Sequence, residues 1–351
     1  MIINIITPVD PVPPVCGSPF SERMGSLPEE KIDTRGALLK ILIRYCLIFL
    51  IGFLVSGCGV RTPAPTALTA VATENFLADI ARNIAGDRAA VSALVPSGID
   101  PHDFQPSPKD LAAVAQSRML IVNGAGLEGW LTQALNNIGG NRIVVAASQG
   151  LPGRTGGYGL GSPASTGLPA TASPANTDPH FWMDPVLVKT YVNNIRDGLI
   201  QLDPAGQDVY RQNANAYSAQ LDGLDQWIRS QVALIPPGRR LLVTDHEDLG
   251  YFADEYGFKL IGAITPETSS EAEPSASHIA DLISQIRASA DKAIFLDIGT
   301  NTQLADQICR EAGCRVVRDL YIHWVTPPGG AAPTYLEMIR HNVTVIVEAL
   351  R

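Results

Sequence analysis

Asp-Pro-His is spelled twice in this chain, in "SGIDPHDFQPSP" (97–108) and in "TDPHFWMDP" (177–185), although the sequence holds only six histidines. Neutral imidazole is a borderline donor suited to zinc and other late divalent ions, and zinc asks for about four ligands in a tetrahedron. Two further histidines stand in comparable places. His246 comes directly after the apolar run "RLLVTD", and His323 lies just past "RVVRDL". His102 also follows an apolar run, "AVSALV", and His180 sits in a loop before a helical pattern. In open parallel sheets, ligands bind in the crevice beyond the carboxyl ends of strands. His102, His180, His246 and His323 are therefore the candidate metal ligands, two from each of the two lobes described below. Asp100, Asp178 and Asp245 stand beside them and can hold the second nitrogen of an imidazole. Proline after Asp100 and Asp178 fixes φ and stiffens the presenting loops. His278 and His341 fall inside helical segments and read as surface or packing residues.

Catalysis is the rival use of such a site. Catalytic zinc keeps three protein ligands and an open position for water, and four histidines would close that position. There is no H-E-x-x-H pattern, and Glu247, adjacent to His246, points away from a metal held by that residue. No G-x-S-x-G elbow is present. "GAGLEG" (124–129) lacks the spacing of a dinucleotide loop and reads as a strand-to-helix turn. A secreted zinc hydrolase and an adhesin remain as readings from other classes, but the chain is expected not to be an enzyme.

The elements that must position these side chains alternate. "TENFLADIARNIAG" is helical, with Thr73 as N-cap and Phe76, Leu77, Ile80 and Ile84 on one face. "AVSALV", "RMLIVNG" and "RIVVAAS" are buried strands, and "LEGWLTQAL" is helical between the last two. Another helix starts at Ser107-Pro108 with Asp110 completing the cap. Residues 185–202 are helical, and Asp203-Pro204 opens a longer helix running to about Ile235. Some thirty residues at about 1.5 Å each span roughly 45 Å, a length that suits a strut between two bodies. Strands then resume with "RLLVTD", "KLIGAIT", "KAIFLD" and "CRVVRDL", separated by helices. This alternation predicts an α/β fold of two lobes with parallel sheets, joined by one long rigid helix, with the metal site in the cleft. The boundaries are 69–202 for the first lobe, 203–235 for the connecting helix and 236–351 for the second. Residues 150–177, rich in Gly, Pro, Ser and Thr, form a surface loop without histidine.

The amino end is of another kind. Arg35, Lys40 and Arg44 precede "CLIFLIGFLVSGC" (46–58), a charged region followed by a short apolar run that reads as a secretory signal. An uncleaved anchor helix is the alternative. Val55-Ser56-Gly57-Cys58 resembles a lipobox, so Cys58 is the expected lipidation site. Residues 1–57 are then leader and 58–68 a Pro/Thr tether. Of five cysteines, Cys309 and Cys314 alone remain in the mature domain, either as a disulfide or as two buried thiols. A formal charge of −9 and no dense basic cluster exclude a nucleic-acid footprint.

"VPSGIDPHDFQPSPKDL", "VNGAGLEGWL", "DPHFWMDP", "TDHEDLGYFADEYGF" and "TYLEMIRHNVTVIVEAL" together resemble the solute-binding lipoproteins of bacterial zinc and manganese ABC importers, over nearly all of residues 69–351. The resemblance implies a helical backbone between two lobes, metal ligation by His102, His180 and His246, and a permease with its ATPase as partners. It also implies a monomer held by its lipid at the outer face of the cell membrane. The family's fourth ligand is commonly an aspartate; here that slot holds His323, with Asp319 and Asp297 as alternative carboxylates. All-nitrogen ligation favours Zn²⁺ as the transported ion over the harder Mn²⁺.

Overall fold

A computed structural model describes residues 68–154, 177–265, 273–289 and 293–351. The leader, Cys58 and residues 155–176 of the Gly/Pro/Ser-rich loop lie outside the described residues. The first lobe holds β1 (Leu68–Ala72), α1 (Asn75–Ala85), β2 (Ala89–Ala93), α2 (Pro108–Gln116), β3 (Met119–Val122), α3 (Leu131–Ile138) and β4 (Ile143–Ala146). Its strands pair in parallel in the order β2-β1-β3-β4. After α4 (Pro185–Leu202) and α5 (Gln207–Val232) the second lobe repeats the plan. It contains β5 (Leu241–Thr244), α6 (Gly250–Tyr256), β6 (Lys259–Ala263), α7 (Ala276–Ala288), β7 (Ala293–Asp297), α8 (Gln303–Ala312) and β8 (Arg315–Leu320), and ends with α9 (Tyr335–Leu350). These strands are also parallel, in the order β6-β5-β7-β8. The strand order reverses at β1/β3 in one sheet and at β5/β7 in the other. Each reversal opens a crevice at the carboxyl ends of its strands.

Two readings need correction. "LTAVA" is an internal strand, β1, where the sequence pattern offered only the end of a tether and the start of a helix. Thr73 does not cap α1: the N-cap position is Glu74, without a side-chain cap, because the Thr73 hydroxyl is engaged by Glu74 and Glu128. Ser107 does form the reciprocal cap with Asp110 at the start of α2. Asp184 caps α4 by accepting from the Val186 N–H at 2.8 Å. Gly198 lets α4 lie close on the first sheet, since a Cβ there would fall 2.4 Å from a Val145 methyl.

The long helix α5 is preceded by a 3₁₀ turn at Pro204–Gly206, and its 26 residues span about 39 Å. It packs on α4, α1 and α9, and its buried face is Tyr210, Ala214, Tyr217, Leu221, Leu224, Ile228 and Val232. That face belongs to one apolar cluster that runs from Phe76 and Trp182 in the first lobe to Leu242, Phe295 and Leu320 in the second. Each lobe also has a smaller core of its own on the far side of its sheet. Cys309 and Cys314, at the end of α8, are joined as a disulfide across Cα atoms 4.4 Å apart.

Because α5 seals the cluster common to both lobes, Leu224→Ala is expected to cost about 2–5 kcal/mol of unfolding free energy. Urea denaturation followed by circular dichroism measures it; a loss below about 1 kcal/mol would mean that α5 does not seal that core.

Candidate metal centre

Four loops at the carboxyl ends of strands converge. His102 lies on the loop after β2, His180 just before a 3₁₀ turn at Phe181–Met183, His246 two residues past β5, and His323 three residues past β8. One ligating nitrogen from each of the four lies within 4.8 Å of all the others. His180 Nε2 is 3.2 Å from His102 Nε2 and 3.2 Å from His246 Nε2. His246 and His323 stack at 5.3 Å between ring centroids. His180, His246 and His323 are buried, and His102 is the one with a solvent edge.

The opposite nitrogens are held from behind. His180 Nδ1 bonds Asp178 Oδ1 at 2.9 Å, and the same oxygen accepts the His180 backbone N–H. His323 Nδ1 bonds Asp297 Oδ2 at 2.9 Å, which leaves its buried Nε2 without a protein partner. Asp100 takes the His102 backbone N–H at 2.8 Å and so shapes the loop that carries the ring. Asp245 Oδ2 stands 3.7 Å from His246 Nδ1, too far for a hydrogen bond, and acts on the ring as a charge. The two alternative fourth ligands lie outside the cluster. Asp319 is exposed on β8, with its carbonyl bound to His341, and Asp297 backs His323 instead of joining the four nitrogens. His278 is likewise engaged elsewhere, by the Ala263 carbonyl.

Burial and charge divide the imidazoles into two pairs. Burial, helped by the charges of His323 and His246, lowers His102 to about 3, and burial with the neighbouring imidazoles holds His180 well below the ordinary range. Burial pulls His246 down too, but the carboxylates of Asp245, Asp248 and Asp100 overcome it and raise it to about 9. His323 is raised against burial by Asp100 and Asp297. Burial pushes Asp178 up to about 7 in spite of the His180 N–H and Arg154. Burial thus favours the neutral, lone-pair form of His102 and His180, whereas the nearby carboxylates favour the protonated form of His246 and shift His323 in the same direction.

Several positioning residues left only a faint trace in the sequence. Asn123, after β3, donates to the Pro179 carbonyl at 3.0 Å and accepts from the Tyr191 hydroxyl, so it fixes the loop that carries His180. Trp182 Nε1 donates to the Ile322 carbonyl at 2.8 Å, next to His323. Tyr251 accepts the Arg154 N–H at 2.8 Å and donates to the Asp178 carbonyl at 2.9 Å. The signal for Asn123 and Trp182 was a polar or aromatic residue set at a strand end or close to a histidine, a common pattern with many other uses, and Tyr251, inside α6, carried none.

The family model described as "ZnuA: Zinc-uptake complex component A periplasmic" matches residues 70–349. The chain belongs to this family. The manganese-binding lipoprotein MntA of Halalkalibacterium halodurans is 31% identical over 87% of this chain and 97% of its own length. The iron-binding protein YfeA of Yersinia pestis is 30% identical over 82% of this chain and 88% of its own. Among solved structures, the periplasmic zinc-binding protein TroA of Treponema pallidum aligns with a TM-score of 0.70 and 27% identity, covering 81% of this chain and 99% of that one. Members of the family are metal-binding substrate receptors of ABC transporters and not enzymes. The chain is therefore an extracytoplasmic receptor, and its class works with a permease and an ATPase. Among the described residues no helix is long and apolar enough to cross a membrane.

The carboxylate behind His180 fixes which nitrogen keeps a lone pair toward the cluster. Asp178→Asn is expected to weaken metal binding by about 10- to 100-fold, measured by competition with a chromogenic chelator. An unchanged affinity would show that Asp178 does not orient the ring.

Proposed function

We propose that the chain captures Zn²⁺ between its lobes through His102, His180, His246 and His323, and passes it to its permease. One observation carries this reading: among the described residues the cluster offers four nitrogens and no carboxylate oxygen, with two edges of 3.2 Å. A tetrahedron of zinc–nitrogen bonds of about 2.0–2.1 Å has edges of about 3.3–3.4 Å, close to that spacing. Mn²⁺ and other hard ions favour oxygen ligands, and the oxygens of the alternative ligand Asp297 are turned to His323 Nδ1 and the Ile322 N–H. A second reading, Mn²⁺ or Fe²⁺, is supported by relatives named for those metals.

The same reading covers the chain's organisation. Residues 1–57 act as leader, Cys58 takes the lipid, and 58–68 lift a monomeric receptor off the membrane. The first lobe (69–202), the connecting helix (203–235) and the second lobe (236–351) then form the capture device.

Residues 59–351 purified without tags should carry about one zinc per chain by elemental analysis, as a single four-nitrogen site requires. His323→Ala should lower zinc affinity about tenfold or more, and His323→Asp should move preference toward Mn²⁺. Zinc binding by His323→Ala equal to the parent's would remove that residue from the ligand set, and a manganese-loaded parent would favour the second reading.

Proton release provides an independent check. His246, raised to about 9, holds at pH 7 a proton that the metal must displace, and His323 is shifted in the same direction. Affinity should therefore rise as pH goes from 6 toward 9, a window above that of an ordinary imidazole. Calorimetry at pH 7 in buffers of different ionisation enthalpy reads the protons directly. Heats independent of the buffer would contradict the assignment.

A further inference from the structure

Two loops that carry cleft histidines are fastened to each other by groups outside the histidine cluster. Asn75, the first residue of α1, lays its carboxamide along the Val325 peptide. The Val325 N–H donates to Asn75 Oδ1 at 2.8 Å, and Asn75 Nδ2 donates to the Val325 carbonyl at 2.9 Å. The second Nδ2 proton goes to Ser97 Oγ at 2.9 Å, and the Ser97 hydroxyl donates to that same Val325 carbonyl at 2.8 Å. The four bonds use both amide protons, the amide oxygen and the serine hydroxyl with no conflict of donor and acceptor.

The location matters more than the number of bonds. Ser97 opens the loop that leads to His102, and Val325 lies two residues beyond His323. The clasp therefore sets the first-lobe loop bearing His102 against the second-lobe loop bearing His323. On the other side of His323, Trp182 holds the Ile322 carbonyl. The two grips differ in exposure. Trp182 is fully buried in the common core, whereas Asn75 is half-buried and Ser97 is exposed at the rim. Water can replace the rim bonds at little cost, while the Trp182 bond cannot open without disturbing apolar packing.

We propose that Asn75, acting with Ser97, is a positioning residue for metal retention: it latches the His102 loop onto the His323 loop, and release of the ion begins when this latch opens. The proposal rests on the four-histidine reading above. It requires asparagine in particular. Aspartate has the same shape but no proton to give to the Val325 carbonyl or to Ser97, and it sets a negative oxygen against that carbonyl.

The latch opposes parting of the two loops, so its loss should appear mainly in dissociation and little in capture. Zn²⁺-loaded parent, Asn75→Ala, Asn75→Asp and Ser97→Ala are mixed with excess EDTA, and release is followed by stopped-flow tryptophan fluorescence. Association is measured separately with Zn²⁺ alone, and thermal midpoints are recorded for the metal-free proteins. Loss of two or more hydrogen bonds should speed release about tenfold or more in the Asn75 variants, with association within about threefold of the parent. The metal-free midpoints should stay close to the parent's, which a merely structural role would not produce. Ser97→Ala, an exposed substitution, should give a smaller rise of about threefold or more and serves as the test if the Asn75 variants do not fold. Release rates indistinguishable from the parent's in the folded variants overturn the proposal. His102→Ala is run in the same assay. If it binds zinc as the parent does, the four-histidine reading fails and the latch with it. If it loses zinc while the Asn75 and Ser97 variants release at the parent's rate, the latch alone fails.

Discussion

Four imidazoles turned toward one point impose a condition that the rest of the molecule has to meet. His180 commits its Nδ1 proton to Asp178, so its Nε2 presents a bare lone pair to two other Nε2 atoms at 3.2 Å. Lone pairs facing one another in a dry site are costly unless something positive lies between them. The carboxylates around His246, which raise it to about 9, favour such a charge there and push His323 the same way. A divalent cation can then take the place of that charge.

The carboxylates behind the rings provide the charge balance that the nitrogens do not. A neutral N₄ shell leaves both positive charges of a bound ion uncompensated, yet Asp178 and Asp297 bond the rings and Asp100, Asp245 and Asp248 bear on them through space. Placing the anions one layer out keeps nitrogen at the metal while lowering the cost of burying its charge. Arg154 tempers this field. Its guanidinium lies 3.6 Å from Asp178, 4.0 Å from Glu247 and 2.9 Å from Asp254, and it comes so close because residue 250 is glycine. A Cβ at Gly250 would sit 2.3 Å from Arg154 Nη1 and 2.7 Å from Asp178 Oδ2.

Much of this was legible in the sequence because it followed period and position. Apolar runs such as "RMLIV" and "AIFLD" are short, bounded and buried, and four histidines stood just beyond such runs or in a loop before a helix. β1 escaped notice because "LTAVA" is small and weakly apolar, although it lies inside its sheet. Neighbours on both edges, not its own side chains, make it a strand. Asp297 was read as a spare ligand because adjacency to a strand end says nothing about direction. Only the fold shows that it faces the back of His323. Asn75 and Asn123 carried no periodic signal, since each acts through one carboxamide whose partner lies elsewhere in the chain.

The shared core also limits how the cleft can open. Swinging the lobes fully apart would expose the apolar surface that α5 and α9 bury against both, at about 25 cal/mol for each Å². Separating loops at the rim breaks individual hydrogen bonds, each worth only about 0.5–1.5 kcal/mol net once water replaces the partner. The cheaper motion is therefore local, with the loops bearing His102 and His323 parting while the helical spine stays packed. On the four-histidine reading, a receptor built this way can hold its ion firmly, with His180 and His323 fixed from behind by Asp178 and Asp297. It can still surrender the ion through a small displacement of one or two of them, because loss of a single ligand from a tetrahedral shell opens the position that a competing donor needs.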